Sequence, residues 1–349
     1  MQERETDEGG ASVVLVVPPD RLHEVIGEEE IARLEREPED YGFEVARTPP
    51  RTFDAQGSAS FSPVPANVGI GPGRDGTRFD PQMAAQAIGR MLRNGARSGE
   101  LPLERIPANL AEEEVERLRP THLIGTFTTY HASGEPRVRN IQLLADVIDG
   151  TVVMPGEQFS INEISGPRSC DKGYVQAPTI IRGELVNTCG GGTSQFGTTT
   201  FNAAFFAGVR LDQWRAHSWY ISRYPMGREA TLSYPELDVK FTNNTPGAII
   251  VKTTYTPGSI TVSLYGRPIA ERVTATHGEP TNPTQPRQIR RQTSDLPAGR
   301  ERVIQSGSRG FTVTVTRTVE LIDGGERTDT IRTVYVPQDR IVEVGTGSS

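Results

Sequence analysis

Ser194, His217 and Glu229 are the side chains whose types could combine into covalent chemistry. A hydroxyl nucleophile, an imidazole to take its proton and a carboxylate to orient that imidazole are the three roles of an acyl-transfer or hydrolytic site. Asp238 is the alternative orienter. Ser194 follows three glycines in Cys189-Gly190-Gly191-Gly192-Thr193-Ser194-Gln195, a loop whose amides could act as oxyanion donors. The competing reading makes Ser194 a helix N-cap, worth about 1 kcal/mol, and His217 a structural histidine; the cap is adopted here. Candidate ligand contacts are Gly191, Gly192 and Gln195 at the positive end of that helix, with Arg139, Asn140, Arg215 and Tyr224. Arg215 could grip a carboxylate bidentately or close a buried ion pair with Glu229 or Asp238.

Three glycines in a row suit a tight loop, not an element interior. The run from Thr198 to Ala207 is apolar on nearly every side and predicts a buried helix stopped at Gly208. The two cysteines, Cys170 and Cys189, flank one short segment. A bridge would close a loop of about 20 residues, worth roughly 3 kcal/mol. A disulfide is the reading adopted, with free thiols or a zinc site as alternatives, although no CxxC or paired-His spacing is present. No metal and no cofactor are expected.

The 349 residues carry a net charge of −7, which argues against wholesale nucleic-acid binding. With 36 Gly and 26 Pro the chain reads as loop-rich and β-heavy. No signal peptide or membrane span is read, since Val13–Val17 has only the length of a strand. The expected fold class is α+β in three regions. Residues 1–11 read as disordered and 12–120 as an N-terminal α+β module. There Asp80-Pro81 opens an amphipathic helix, and Gly71-Pro72-Gly73-Arg74-Asp75-Gly76 is a turn, not a dinucleotide fingerprint. Residues 123–267 read as a mixed domain with antiparallel strands around the buried helix. Residues 268–295 read as a proline-rich linker, and 296–349 as a small all-β module with too few apolar residues for a deep pocket.

Several blocks occur in a telling order: Thr126-Phe127-Thr128-Thr129-Tyr130, Arg139-Asn140-Ile141, Pro155-Gly156-Glu157-Gln158-Phe159-Ser160, Gly190–Gln195, Arg215-Ala216-His217-Ser218 and Tyr224-Pro225-Met226-Gly227-Arg228-Glu229-Ala230. Together they resemble the VanW domain over roughly 123–256. Many relatives have Cys where this chain has Ser194, and Asp where it has Glu229, so a thiolate at position 194 is ruled out here. The C-terminal stretch, with Gly307-Ser308-Arg309-Gly310-Phe311 and Gly324-Gly325, resembles a G-five domain. The segment before the VanW-like part resembles the peptidoglycan-binding region that often precedes it. These resemblances imply an extracellular, cell-envelope protein whose partner is peptidoglycan or another wall polymer, with an export segment or anchor upstream. Three functions are then expected in order: wall binding, a Ser194/His217 acyl transferase or hydrolase on wall peptides, and adhesion through the β module.

Overall fold

The computed structural model describes residues 2–5, 11–14, 16–45, 52–181 and 184–347. The chain divides into two compact units, Met1–Val45 with Gly69–Arg117, and Ala46–Val68 with Leu118–Ser349. In the first, Asp80 caps the Pro81–Arg93 helix by accepting from the Gln82 and Met83 amides, as the Asp-Pro pair leads one to expect. Ala84 and Ala85 of that helix pack with Leu22, Ile31 and Phe79. Gln2–Glu5 pairs antiparallel with Ala11–Val14 where the composition suggests disorder; Met1, Leu15 and 6–10 lie outside the described residues.

The second unit is built around the Ser194–Phe206 helix, buried at every position from Gln195 onward. It packs on the sheet in which His122–Tyr130 pairs with Ser259–Gly266 and that strand with Ile249–Thr256, all antiparallel. Helix and sheet approach closely because Gly125 has no side chain: a Cβ there would lie 2.3 Å from the Ala203 carbonyl oxygen. Phe127 and Phe206 stack across this interface, and Phe53 meets both rings edge-on. Arg228 is fully buried among them and has no carboxylate partner among the described residues. Its guanidinium donates to Asn202 Oδ1 (2.7 Å), to the Ala55 and Gly57 carbonyls and to His277 Nε2 (3.0 Å), and it lies 5.0 Å over the Phe206 ring.

Three expectations about organisation are corrected. Residues 52–68 belong to the second unit, where Ala59–Phe61 pairs with Ala270–His277 and Val64–Pro65 pairs with His122–Tyr130. Residues 268–295 are not a linker. Ala270–His277, Thr281–Thr284 and Gln288–Pro297 are strands, their ladders closed by Gly310–Leu321 and Arg340–Gly347. Thr281–Thr284 and most of Gln288–Pro297 expose both faces, so they lack the apolar alternation by which strands are read. Nor does the C-terminal β region hang free. Arg317, on the Gly310–Leu321 strand, donates to the carbonyls of Phe205 (2.8 Å), Val209 (3.0 Å) and Ala204 (3.4 Å), a cation closing the negative end of the buried helix. No helix among the described residues is long and apolar enough to cross a membrane.

Candidate functional site

The positive end of the buried helix opens on a cavity of about 700 Å³. Its walls come from the glycine loop, the start of the Pro136–Ile148 helix, the Gln176–Ile181 strand with Thr188 of its partner strand, and the 217–237 segment. Cys170 and Cys189 form a disulfide, with Cα atoms 5.4 Å apart, and so tie the end of that hairpin to the preceding turn. The glycines are required by packing. Gly190 and Gly192 hold φ of 78° and 86°, and a Cβ on Gly191 would lie 2.0 Å from the Ala177 carbonyl oxygen. The loop amides of Gly190, Gly191 and Thr193 turn back on the carbonyls of Val175, Thr188 and Gly190. They are therefore not oxyanion donors.

Ser194 is not the cap. Thr193 takes the N-cap position, its hydroxyl bonded to the Gly190 carbonyl, and Ser194 is the first helical residue. The half-buried Ser194 Oγ accepts from the Leu232 amide at 3.1 Å and lines the cavity. His217 lines it too, and its Nδ1 donates to Glu229 Oε2 at 2.6 Å, which makes Glu229 and not Asp238 the carboxylate that orients it. Asp238 is occupied by Ser160 Oγ and the Asn162 amide. Nε2 of His217 has no hydrogen-bond partner among the described residues. Of the expected serine–histidine–carboxylate chain, the histidine–carboxylate half is joined; no hydrogen bond links Ser194 to His217.

Glu229 is wholly buried, and its other oxygen, Oε1, accepts from the Tyr335 hydroxyl at 2.5 Å. Burial, reinforced by the charge of Glu229, holds that hydroxyl above the ordinary tyrosine range, so Tyr335 remains a donor. Tyr224 stacks on the imidazole with centroids 5.5 Å apart. Burial likewise raises its hydroxyl above the usual range.

The remaining expected contacts separate. Asn140 is buried and spent on the Val175 backbone and the Gly191 carbonyl. Gln195 is buried and donates to Thr129 Oγ1 and the Tyr130 carbonyl, each at 3.0 Å. Both position the loop and do not face a ligand. Arg139 is exposed and lies outside the cavity lining. Arg137 is the arginine of this helix that reaches it. Arg137 Nη2 donates to Gln195 Oε1, while its buried Nε has no hydrogen-bond partner among the described residues and stands 4.0 Å from Glu135 Oε2. The signal was present in the spacing: Arg137 shares a helical face with Ile141, Leu144 and Ile148, and Arg139 does not. Arg223, also missed, contributes an exposed cation to the wall.

Arg215 stands in a second recess of about 600 Å³ that shares Ile180, His217, Thr231 and Leu237 with the first. It is exposed and forms no buried ion pair with Glu229 or Asp238, since those carboxylates are held elsewhere. Among the described residues no group of three His, Cys, Asp or Glu side chains could hold a metal ion.

Comparison with known proteins places family matches on this geometry. The model for VanW like protein matches residues 136–265 and that for the G5 domain residues 276–347. The chain thus carries a VanW-like domain and a G5 domain, the latter beginning some way ahead of the boundary that composition suggests. The uncharacterized protein YoaR of Bacillus subtilis (strain 168) is 38% identical over 146 residues, 42% of this chain and 48% of that protein. The vancomycin B-type resistance protein VanW of Enterococcus faecalis (strain ATCC 700802 / V583) is 27% identical over 118 residues, 32% of this chain and 42% of that protein. The chain therefore spans less than half the length of each of these relatives. Among solved structures, the IgA1 protease G5 domain is 24% identical, with 22% of this chain and 90% of that one covered and a TM-score of 0.15. HP0197-G5 is 27% identical, with 21% and 97% covered and a TM-score of 0.13.

Proposed function

We propose, for a chain that carries a VanW-like and a G5 domain, that it is a cell-envelope protein binding peptidoglycan, stem peptide or glycan, through the cavity of its VanW-like domain. The observation that carries this reading is the open cavity at the positive helix end, with Arg137 and Arg223 on its wall and His217 Nε2 unspent. A cavity of several hundred Å³ with a few convergent polar groups is the size and chemistry of a ligand site. Arginines next to a helix N-terminus favour carboxylates. The Cys170–Cys189 bridge agrees with an oxidising compartment outside the cytosol, and both domain resemblances imply the envelope.

Co-sedimentation with purified sacculi tests it. The wild-type chain is expected in the pellet, and Arg223→Ala, which alters an exposed side chain, to shift most of it to the supernatant. Equal pellet fractions would reject the cavity as the binding site. The Glu229–His217 pair supports a second reading, hydrolysis or acyl transfer on wall peptides, with His217 Nε2 as the base and Ser194 as the nucleophile. Mass spectrometry of sacculi incubated with the protein decides that question: new fragments that vanish in Glu229→Gln support the enzyme, and an unchanged digest removes it.

A further inference from the structure

We propose that the two recesses form one cleft that holds an extended anionic peptide on both sides of His217, so that an internal stretch of peptide is recognised and not a chain end alone. The inference rests on the peptidoglycan reading above and deepens it, choosing peptide over glycan.

The recesses are contiguous, since Ile180, His217, Thr231 and Leu237 line both. His217 therefore stands between them and not at a closed end. Each side offers an exposed arginine, Arg223 on one and Arg215 on the other, and neither has an ion-pair partner among the described residues. Arg137 adds a third cation. The linings oppose these three with only the carboxylates of Glu135 and Asp339, because Glu229 is sealed behind the imidazole by its bonds to His217 and Tyr335. A cationic cleft on a chain of net charge −7 is not what the overall composition would supply by default.

Both sides mix apolar surface with polar groups. The first has Ile221, Leu232 and Leu237 beside Ser194, Thr179 and Thr188. The second is floored by Trp219, Ile289, Pro337 and Ile341, with Gln305 and Gln338 beside them. Apolar surface next to amide groups accommodates side chains and backbone of an extended chain. Ile289, Gln305, Pro337, Gln338 and Ile341 belong to the G5 domain, so the second side exists only where that domain meets the VanW-like one.

Isothermal titration of the full chain with two probes tests the proposal. One is a single stem peptide with a free terminal carboxylate; the other is the cross-linked dimeric peptide released from digested sacculi. Arg215→Ala and Arg223→Ala each remove one exposed cation, and circular dichroism checks that both variants fold. The dimeric peptide is expected to lose about five- to tenfold in affinity with either substitution, the effect of one charge-assisted contact. The single peptide should weaken with Arg223→Ala alone. A dimeric peptide indifferent to Arg215→Ala but weakened by Arg223→Ala would overturn the two-sided cleft and leave the cavity reading intact. If the wild-type chain binds neither probe, the peptide cleft is overturned, whereas the cavity reading falls only if Arg223→Ala leaves co-sedimentation with sacculi unchanged.

Discussion

Arg228 and His277 show how a half-buried imidazole beside a buried cation adds to the acid sensitivity of the fold. The donors of Arg228 are met by carbonyls, by Asn202 and by the lone pair on His277 Nε2. Burial first, then the Arg228 charge, push the His277 ring down from 6.5 to about 4. The unfolded chain accepts a proton at this residue near pH 6.5, whereas the folded one refuses it until about 4. Between these limits the unfolded state binds more protons. The contribution is therefore complete above about 6.5 and is lost as the pH falls toward 4. Because the ring is partly exposed, the loss is on the order of 1 kcal/mol after screening. His277→Gln keeps an acceptor for Arg228 but takes up no proton. Urea melts at several pH values should show a flatter acid slope for this variant, and parallel slopes would refute the assignment. At this scale the types of the site residues and Glu229 or Asp238 as partner of His217 were legible in the sequence, but the Tyr335 contact was not. His217 and Glu229 are close in the chain, whereas Tyr335 lies over a hundred residues from the carboxylate it serves.

The buried helix from Ser194 to Phe206 was the most legible element, because a glycine loop, an all-round apolar run and a stopping glycine agree on it. What fastens its far end was not legible. Arg317 falls on the strand face of Phe311, Val313, Val315 and Val319 and is 1% exposed, but the alternation that turns it inward does not say that its partners are the Ala204, Phe205 and Val209 carbonyls, over a hundred residues away at the end of the helix. Replacing it with methionine keeps much of the volume and strands those acceptors. The expected loss is about 3 kcal/mol, combining unmet buried carbonyls with removal of a cation from the helix end. Chemical denaturation measures it, and a variant as stable as the parent would show the contacts to be incidental. The polar strands at 281–297 were misread for the opposite reason. Their partners complete the backbone ladder, so they hold strand geometry without an apolar face to announce it.

For the whole molecule the consequential join is between the VanW-like and G5 domains. Gly208 packs on Val319 and, in the strand between the two matched ranges, on Ala270 and Val273; Gly227 packs on Val313 and Val315; and Tyr335 donates to Glu229. A chain ended after Arg267 would leave these surfaces and the Glu229 oxygen uncovered. It is expected to unfold without a cooperative transition, whereas a tethered module could be removed with little effect; calorimetry separates the two. Sequence composition pointed to the tether, because proline and polar content report local stiffness and say nothing about what a distant strand will cover. The cysteine bridge gives the cleft a history as well as a shape. Before oxidation the hairpin beside the glycine loop is unfastened, and the Cys170–Cys189 bond completes that wall of the cleft. The ability to hold a ligand is thereby tied to the redox state of the surroundings, and a reductant is expected to weaken binding without touching any residue of the lining.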